Sequence, residues 1–129
     1  MNSKSAANAY KSEAIENAPP IKIIRMLYQG ALRFLDRAEA ADPNDPTSTF
    51  IDQLGRADDI VAELRCSLAP EHAPEICEDL ERLYLFCESE IGRAMTERSS
   101  EPLGAVRSVL VKLLEAWQKV EVQGQTQAA

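Results

Sequence analysis

The stretch "IKIIRMLYQGALRFL", residues 21–35, decides the fold. At about 100° per residue it places Ile21, Ile24, Tyr28, Ala31, Leu32 and Leu35 on one stripe, continued by Ala38, and Ile23, Leu27, Gly30 and Phe34 on a second stripe beside it. Together the two stripes cover roughly 200° of the helix surface, about twice what a surface helix needs to face a core. Lys22, Arg25, Gln29, Arg33, Asp36 and Arg37 occupy the rest. The helix is therefore neither fully buried nor a membrane span, and its second stripe needs a cover.

Prolines divide the remainder of the chain. "DPNDP" at 42–46, "APEHAP" at 69–74 and "ERSSEP" at 97–102 each combine proline with turn-forming or capping residues, and the segments between them contain none. Four long helices are expected, at about 20–41, 46–68, 74–97 and 101–122. Asp45 caps the second with Pro46 at its first position, Pro74 opens the third, and Ser99 or Ser100 caps the fourth ahead of Pro102. Phe50, Leu54, Ala57, Val61, Leu64 and Leu68 step by alternating four and three residues, and Leu103, Val106, Leu110, Leu113, Trp117 and Val120 by alternating three and four. In the third segment Ile76, Leu80, Leu83 or Tyr84, Cys87, Ile91 and Ala94 or Met95 continue the pattern. These are bundle seams, and the short connections make neighbours antiparallel. The fold class is all-α: an antiparallel up-down four-helix bundle over residues 19–122, preceded by a short, weakly held N-terminal helix or lid over 1–18. Tyr10 and Ile15 are the only large apolar residues of that segment, and the polar tail 123–129 is expected to be disordered.

With 14 basic and 21 acidic residues the chain carries −7 net charge, so it lacks the basic footprint of a nucleic-acid binder. No apolar run approaches the roughly 20 residues of a membrane span, and the start of the chain has no signal-peptide pattern, so the chain is expected to remain in the cytosol. Cys66, Cys77 and Cys87 are odd in number, have no Cys-x-x-Cys spacing and read as free thiols, with Cys87 on a seam and Cys66 at the end of one. His72 is the single histidine and has no neighbouring ligand to complete a metal site. Most carboxylates, Asp58 and Asp59 among them, fall on polar faces as solvated charge. No phosphate loop or nucleophile elbow is present. No catalytic residue, cofactor or metal is expected, and the chain does not read as an enzyme.

The second stripe is then the informative feature. Leaving Ile23, Leu27 and Phe34 in water forgoes roughly 1.5–3 kcal/mol each. Three covers are available: the N-terminal segment folding back, a second copy of the chain, or an apolar segment of a partner. A bundle helix burying two faces against two neighbours would also account for it. Gly30 costs about 1 kcal/mol inside a helix, which a closely approaching backbone would explain.

The same residues carry a resemblance. "AY" at 9–10, "NAPP" at 17–20 and "IIRMLYQGALRFLDRA" at 23–38 are similar to the start of the flagellar secretion chaperone FliS family: a Tyr, a spacer, Ala-x-Pro, then Met-Leu-Tyr-x-Gly-Ala-Leu-x-Phe. "LGRADDIVAEL" at 54–64, "LERLYLFCESEI" at 80–91 and "LLEAWQ" at 113–118 resemble the family's later stretches in order, over nearly the whole chain. Pro19, Gln29 and Phe86 depart from the usual Thr or Ser, Asp or Asn, and Tyr. The resemblance implies a cytosolic export chaperone that binds the disordered C-terminal region of flagellin, prevents its early polymerisation and assists delivery to the export-gate component of the flagellar type III apparatus. Tyr10 and Ile15 would belong to a segment that occupies the groove in the free chaperone, and Ile23, Leu27, Gly30 and Phe34 to the partner-binding helix. A monomer or weak homodimer fits this reading. A structural homodimeric bundle without a client, and a paralogue serving another export substrate or a regulator, are the alternatives.

Overall fold

Each proline-bounded segment becomes one helix. The computed structural model describes residues 20–71 and 73–128, with side chains from 21 to 122 except at 72; Tyr10, Ile15 and His72 lie outside the described residues. The helices are α1 (Pro20–Ala40), α2 (Phe50–Cys66), α3 (Pro74–Glu97) and α4 (Leu103–Ala128). Packing runs round a square, α1 on α2, α2 on α3, α3 on α4 and α4 on α1, with no backbone contact across either diagonal. Cross-helix pairs give the antiparallel register. Arg107 of α4 binds Asp36 at 2.7 Å and Glu39 at 2.9 Å near the end of α1, while Arg25 near its start reaches Glu121 at 2.8 Å. Arg65 of α2 grips Glu88 of α3 through Nε at 2.7 Å and Nη2 at 3.2 Å.

Local chemistry explains where the helices begin and end. α2 starts at Phe50, four residues later than the proline signal suggests. Asp45 does not cap it: its Oδ1 accepts bonds from the Thr47 amide at 2.8 Å and the Thr47 hydroxyl at 2.7 Å, while the Ser48 hydroxyl donates to the Asp42 carbonyl. These side-chain turns satisfy the backbone outside a helix and delay it. α3 opens on Pro74 as expected and ends at Arg98, which takes the left-handed conformation at φ 49° and donates its amide to the Ala94 carbonyl. α4 starts two residues late, after Ser99 and Ser100 have formed the connecting turn. It continues to Ala128 through the tail expected to be disordered. Gln and Ala are adequate helix formers and the tail has no proline, so its polarity removes a packing face without stopping the helix.

The connected core consists of Tyr28, Ala31, Leu35 and Ala38 from α1, Phe50, Leu54, Ala57, Val61 and Leu64 from α2, Tyr84, Cys87, Ile91 and Ala94 from α3, and Leu103, Val106 and Leu110 from α4. In the third helix Tyr84 and Ala94 take the inward positions, in preference to Leu83 and Met95. Tyr28 and Tyr84 span the α1–α3 diagonal, their hydroxyls 2.5 Å apart. Burial raises both phenols above their usual range, with hydrogen bonds to Tyr84 and Trp117 pulling Tyr28 the other way. Burial likewise pushes the Cys87 thiol up to about 12, leaving a small apolar group. Cys66, in contrast, is exposed, because it follows Leu64 by about 200° of helix and so lies on the face away from the seam.

Candidate functional site

The two stripes of α1 meet two different neighbours. Asp36 and Glu39 flank the first stripe and bind α4 through Arg107. The second stripe borders α2. A Cβ added at Gly30 would lie 3.3 Å from the Ile60 side chain, so the close approach implied by this glycine is made by a side chain and not by a second backbone. Gly30 is buried, and so is Ile23, 3% exposed, although Ile23 stands outside the connected core. Leu27 and Phe34 are half-buried, packed against the core from its edge. The guanidinium of Arg37 sits 5.5 Å, and that of Arg56 from α2 5.9 Å, from the centre of the Phe34 ring. Much of the surplus on α1 is thus absorbed by α2, leaving Leu27 and Phe34 partly accessible beside exposed Met26.

A second apolar region lies at one end of the bundle. Every buried residue of the connected core is at or after Tyr28 in α1, at or before Leu64 in α2, at or after Tyr84 in α3, and at or before Leu110 in α4. Beyond those limits Ile24, Leu68, Leu80, Leu113, Leu114 and Trp117 are only half-buried. Ile76 is 63%, Val120 49% and Val122 60% exposed. Ile76 and Val120 read as seam residues in the sequence, and the structure leaves both in solvent. Helix length supplies the reason. At 1.5 Å per residue the 17 residues of α2 span about 25 Å, against roughly 36 Å and 39 Å for the 24 of α3 and 26 of α4. α3 and α4 outrun α2, which stops at Cys66, and the seams continue where the described residues supply no fourth wall. At the same corner a cleft of about 280 Å³ is bordered by Arg65, Leu68, Pro70, Pro74, Cys77, Glu78 and Glu81.

Periodicity does not reveal this open end, because it identifies the face of a helix and not the presence of a partner for it. The delayed start of α2 does not reveal it either, since Phe50 lies at the opposite end, where the four helices close.

Polar chemistry offers no competing site among the described residues. No group of three or more His, Cys, Asp or Glu converges as metal ligands. Asp58, expected to be solvated, instead turns toward α3; its Oδ1 is buried without a hydrogen-bond partner, and burial, then Glu88 and Asp59, raise its pKa against the opposing pull of Arg65. No helix among the described residues is long and apolar enough to cross a membrane.

The sequence that builds this bundle matches a known protein family. The profile of the flagellar protein FliS covers residues 2–124. The chain belongs to the FliS family. Relatives named flagellar secretion chaperone FliS include those of Campylobacter jejuni, 32% identical over 93% of this chain and 94% of its own length, and Vibrio cholerae, 28% identical over 91% and 89%. The Bacillus subtilis protein of the same name is 24% identical over 86% of this chain and 82% of its own. FliS is a chaperone family, which agrees with a surface whose chemistry is burial.

Proposed function

We propose that this chain is a cytosolic export chaperone that binds the disordered C-terminal region of flagellin, keeps it from polymerising early and assists its delivery to the flagellar type III export apparatus. The observation that carries the reading is the open end of the bundle. Ile76, Val120 and Val122 are about half to two thirds exposed, and each forgoes on the order of 1–2 kcal/mol, which a client helix would recover. The client would extend from that end along the second stripe of α1. Leu27 and Phe34 are the contacts it reaches there, and buried Ile23 and Gly30 shape the surface from beneath. Residues 1–18, through Tyr10 and Ile15, would act as a lid that the client displaces. Binding spends part of the burial energy on ordering the client chain, and the −7 net charge keeps an apolar-surfaced protein soluble.

Titration of a flagellin C-terminal fragment with three variants tests this. Leu27→Glu and Phe34→Glu alter half-exposed side chains, so each should keep its helicity and most of its stability while losing affinity. Leu110→Glu places an unpaired carboxylate in the core, should cost several kcal/mol and should unfold the bundle. Leu27→Glu and Phe34→Glu variants that unfold alongside Leu110→Glu would make both stripes core. A stable dimer in sedimentation that ignores the fragment would favour a structural bundle without a client.

A further inference from the structure

Ion pairs pin α4 to α1 at both ends of the bundle, and the two pins differ. At the closed end Arg107 has two carboxylates, Asp36 at 2.7 Å and Glu39 at 2.9 Å, beside Leu35, Ala38, Leu103 and Val106, which are shut off from solvent. Losing one acid leaves the other. At the open end, among the described residues, Arg25 has Glu121 as its one ion-pair partner, Nε to Oε2 at 2.8 Å. The Glu121 side chain is 13% exposed, against 63% for Asp36 and 40% for Glu39. A carboxylate so enclosed meets its cation in a lower dielectric and leaves a larger deficit when that cation is removed. Yet no side chain of α4 from 111 to 122 is fully buried, and in α1 before Tyr28 only Ile23 is, on the stripe that borders α2. Glu121 follows Leu114 by seven residues and Trp117 by four, so the three share a face of α4. Leu114, Trp117 and, on α1, Ile24 are half-buried. A second polar tie of this segment is the hydrogen bond between Trp117 and Tyr28.

We propose that the Arg25–Glu121 pair is an ionic latch that holds α4, from Leu113 onward, against the start of α1, and that its release lets this segment swing outward and uncover Ile24, Leu114 and Trp117. Because α2 stops at Cys66, the described residues put no filled core beneath the segment, and its outward motion breaks no fully buried apolar contact of α4. The Arg107 triplet has no such role, since the filled core beside it holds the helices together with or without the ion pairs. Opening a segment of this kind takes less free energy than unfolding the whole bundle. The latch thus makes the open end adjustable, with three apolar side chains half-covered when it is closed and accessible when it is released. A group that competes for Arg25 or Glu121 shifts the segment by its preference for the released state. The latch is a property of the free chain and does not depend on the flagellin reading.

Hydrogen exchange of the full chain, read together with the emission of Trp117, its single tryptophan, tests the latch. Glu121→Gln keeps the shape and removes the charge. It should speed exchange of the 113–122 amides about tenfold and move Trp117 emission to longer wavelength, while amides 54–61 keep their rates and so report an intact core. Arg107→Gln is the control and should leave Trp117 emission and the 113–122 amides at parent values. Arg25→Glu with Glu121→Arg rebuilds the pair with reversed polarity and should return exchange to within about twofold of the parent. Unchanged exchange and emission in Glu121→Gln, equal acceleration in Arg107→Gln, a reversed pair that exchanges as fast as Glu121→Gln, or acceleration spread evenly over all four helices would each overturn the proposal.

Discussion

The two ends of the bundle are built from the same residue types and reach opposite outcomes. Where α1 ends and α2 begins, Leu35, Ala38, Phe50, Leu54, Ile91, Ala94, Leu103 and Val106 are all closed to solvent. At the other end Ile24, Leu80, Leu113 and Trp117 are half-buried, and Ile76, Val120 and Val122 are exposed. The difference is not hydrophobicity but wall count: four helices enclose the first end, while α2 stops short of the second. Apolar periodicity without a partner leaves surface available for binding, and the closed end supplies the stability that lets the other remain open.

Substitutions that remove equivalent apolar side chains from the two ends should therefore differ most. Leu54→Ala at the closed end should cost about 2–5 kcal/mol in urea unfolding. Trp117→Ala, at a half-buried position, should cost roughly half of the 3–5 kcal/mol expected of a fully buried aromatic. Val122→Ala should stay within about 0.5 kcal/mol of the parent. Equal costs for Leu54→Ala and Val122→Ala would erase the distinction between the ends.

The Tyr28–Tyr84 pair marks the boundary between them, joining helices whose backbones do not meet. Tyr84→Phe removes one hydroxyl and leaves the other with only the Trp117 indole to satisfy it, so a loss of about 1–3 kcal/mol is expected. Hydrogen exchange sharpens the comparison. In this variant the amides of α4 beyond Leu110 should exchange faster than in the parent, while those of Leu54 to Val61 keep their ranking as the slowest. Uniform acceleration along all four helices would show that the pair supports the whole bundle and not its open half.

How much of this is readable in the chain depends on how local each signal is. The four helices, the start of α3 and the inward faces are legible, because proline, capping residues and 3–4 spacing act within a few residues of themselves. The delayed start of α2 is not, since Asp45 is equally good as a cap and as the acceptor of a side-chain turn. The surplus on α1 points to Leu27 and Phe34, which are half-exposed, but it does not show Ile23 and Gly30 to be buried. Their cover is a property of packing, not of the helix. The arginine pair over Phe34 is invisible for the same reason, as Arg37 and Arg56 belong to different helices and meet only in the fold. Asp58 reads as solvated in the sequence because its azimuth on α2 lies off the seam, and azimuth says nothing of where α3 sits.

Asp58 tests the closed half with a polar group in place of an apolar one, and the expected effect is the smallest. Its Oδ1 is buried with no partner, and burial followed by the charges of Glu88 and Asp59 raises its folded pKa. A carboxyl whose pKa is higher in the folded than in the unfolded state binds protons more readily when folded, so its ionisation opposes folding. Above the raised folded value the penalty is present in full. As pH falls through the raised folded value, the native carboxyl takes up a proton and the penalty fades; it is gone once pH drops below the unfolded value of about 3.9. Asp58→Asn removes the charge but keeps the shape. The variant should be more stable than the parent at pH 7, and the gap should narrow steadily between neutrality and about pH 4. Urea midpoints of both proteins across that interval provide the measurement. A gap that stays constant with pH would mean that water reaches Asp58 as freely as it reaches the open end, and that the closed half is closed only to apolar groups.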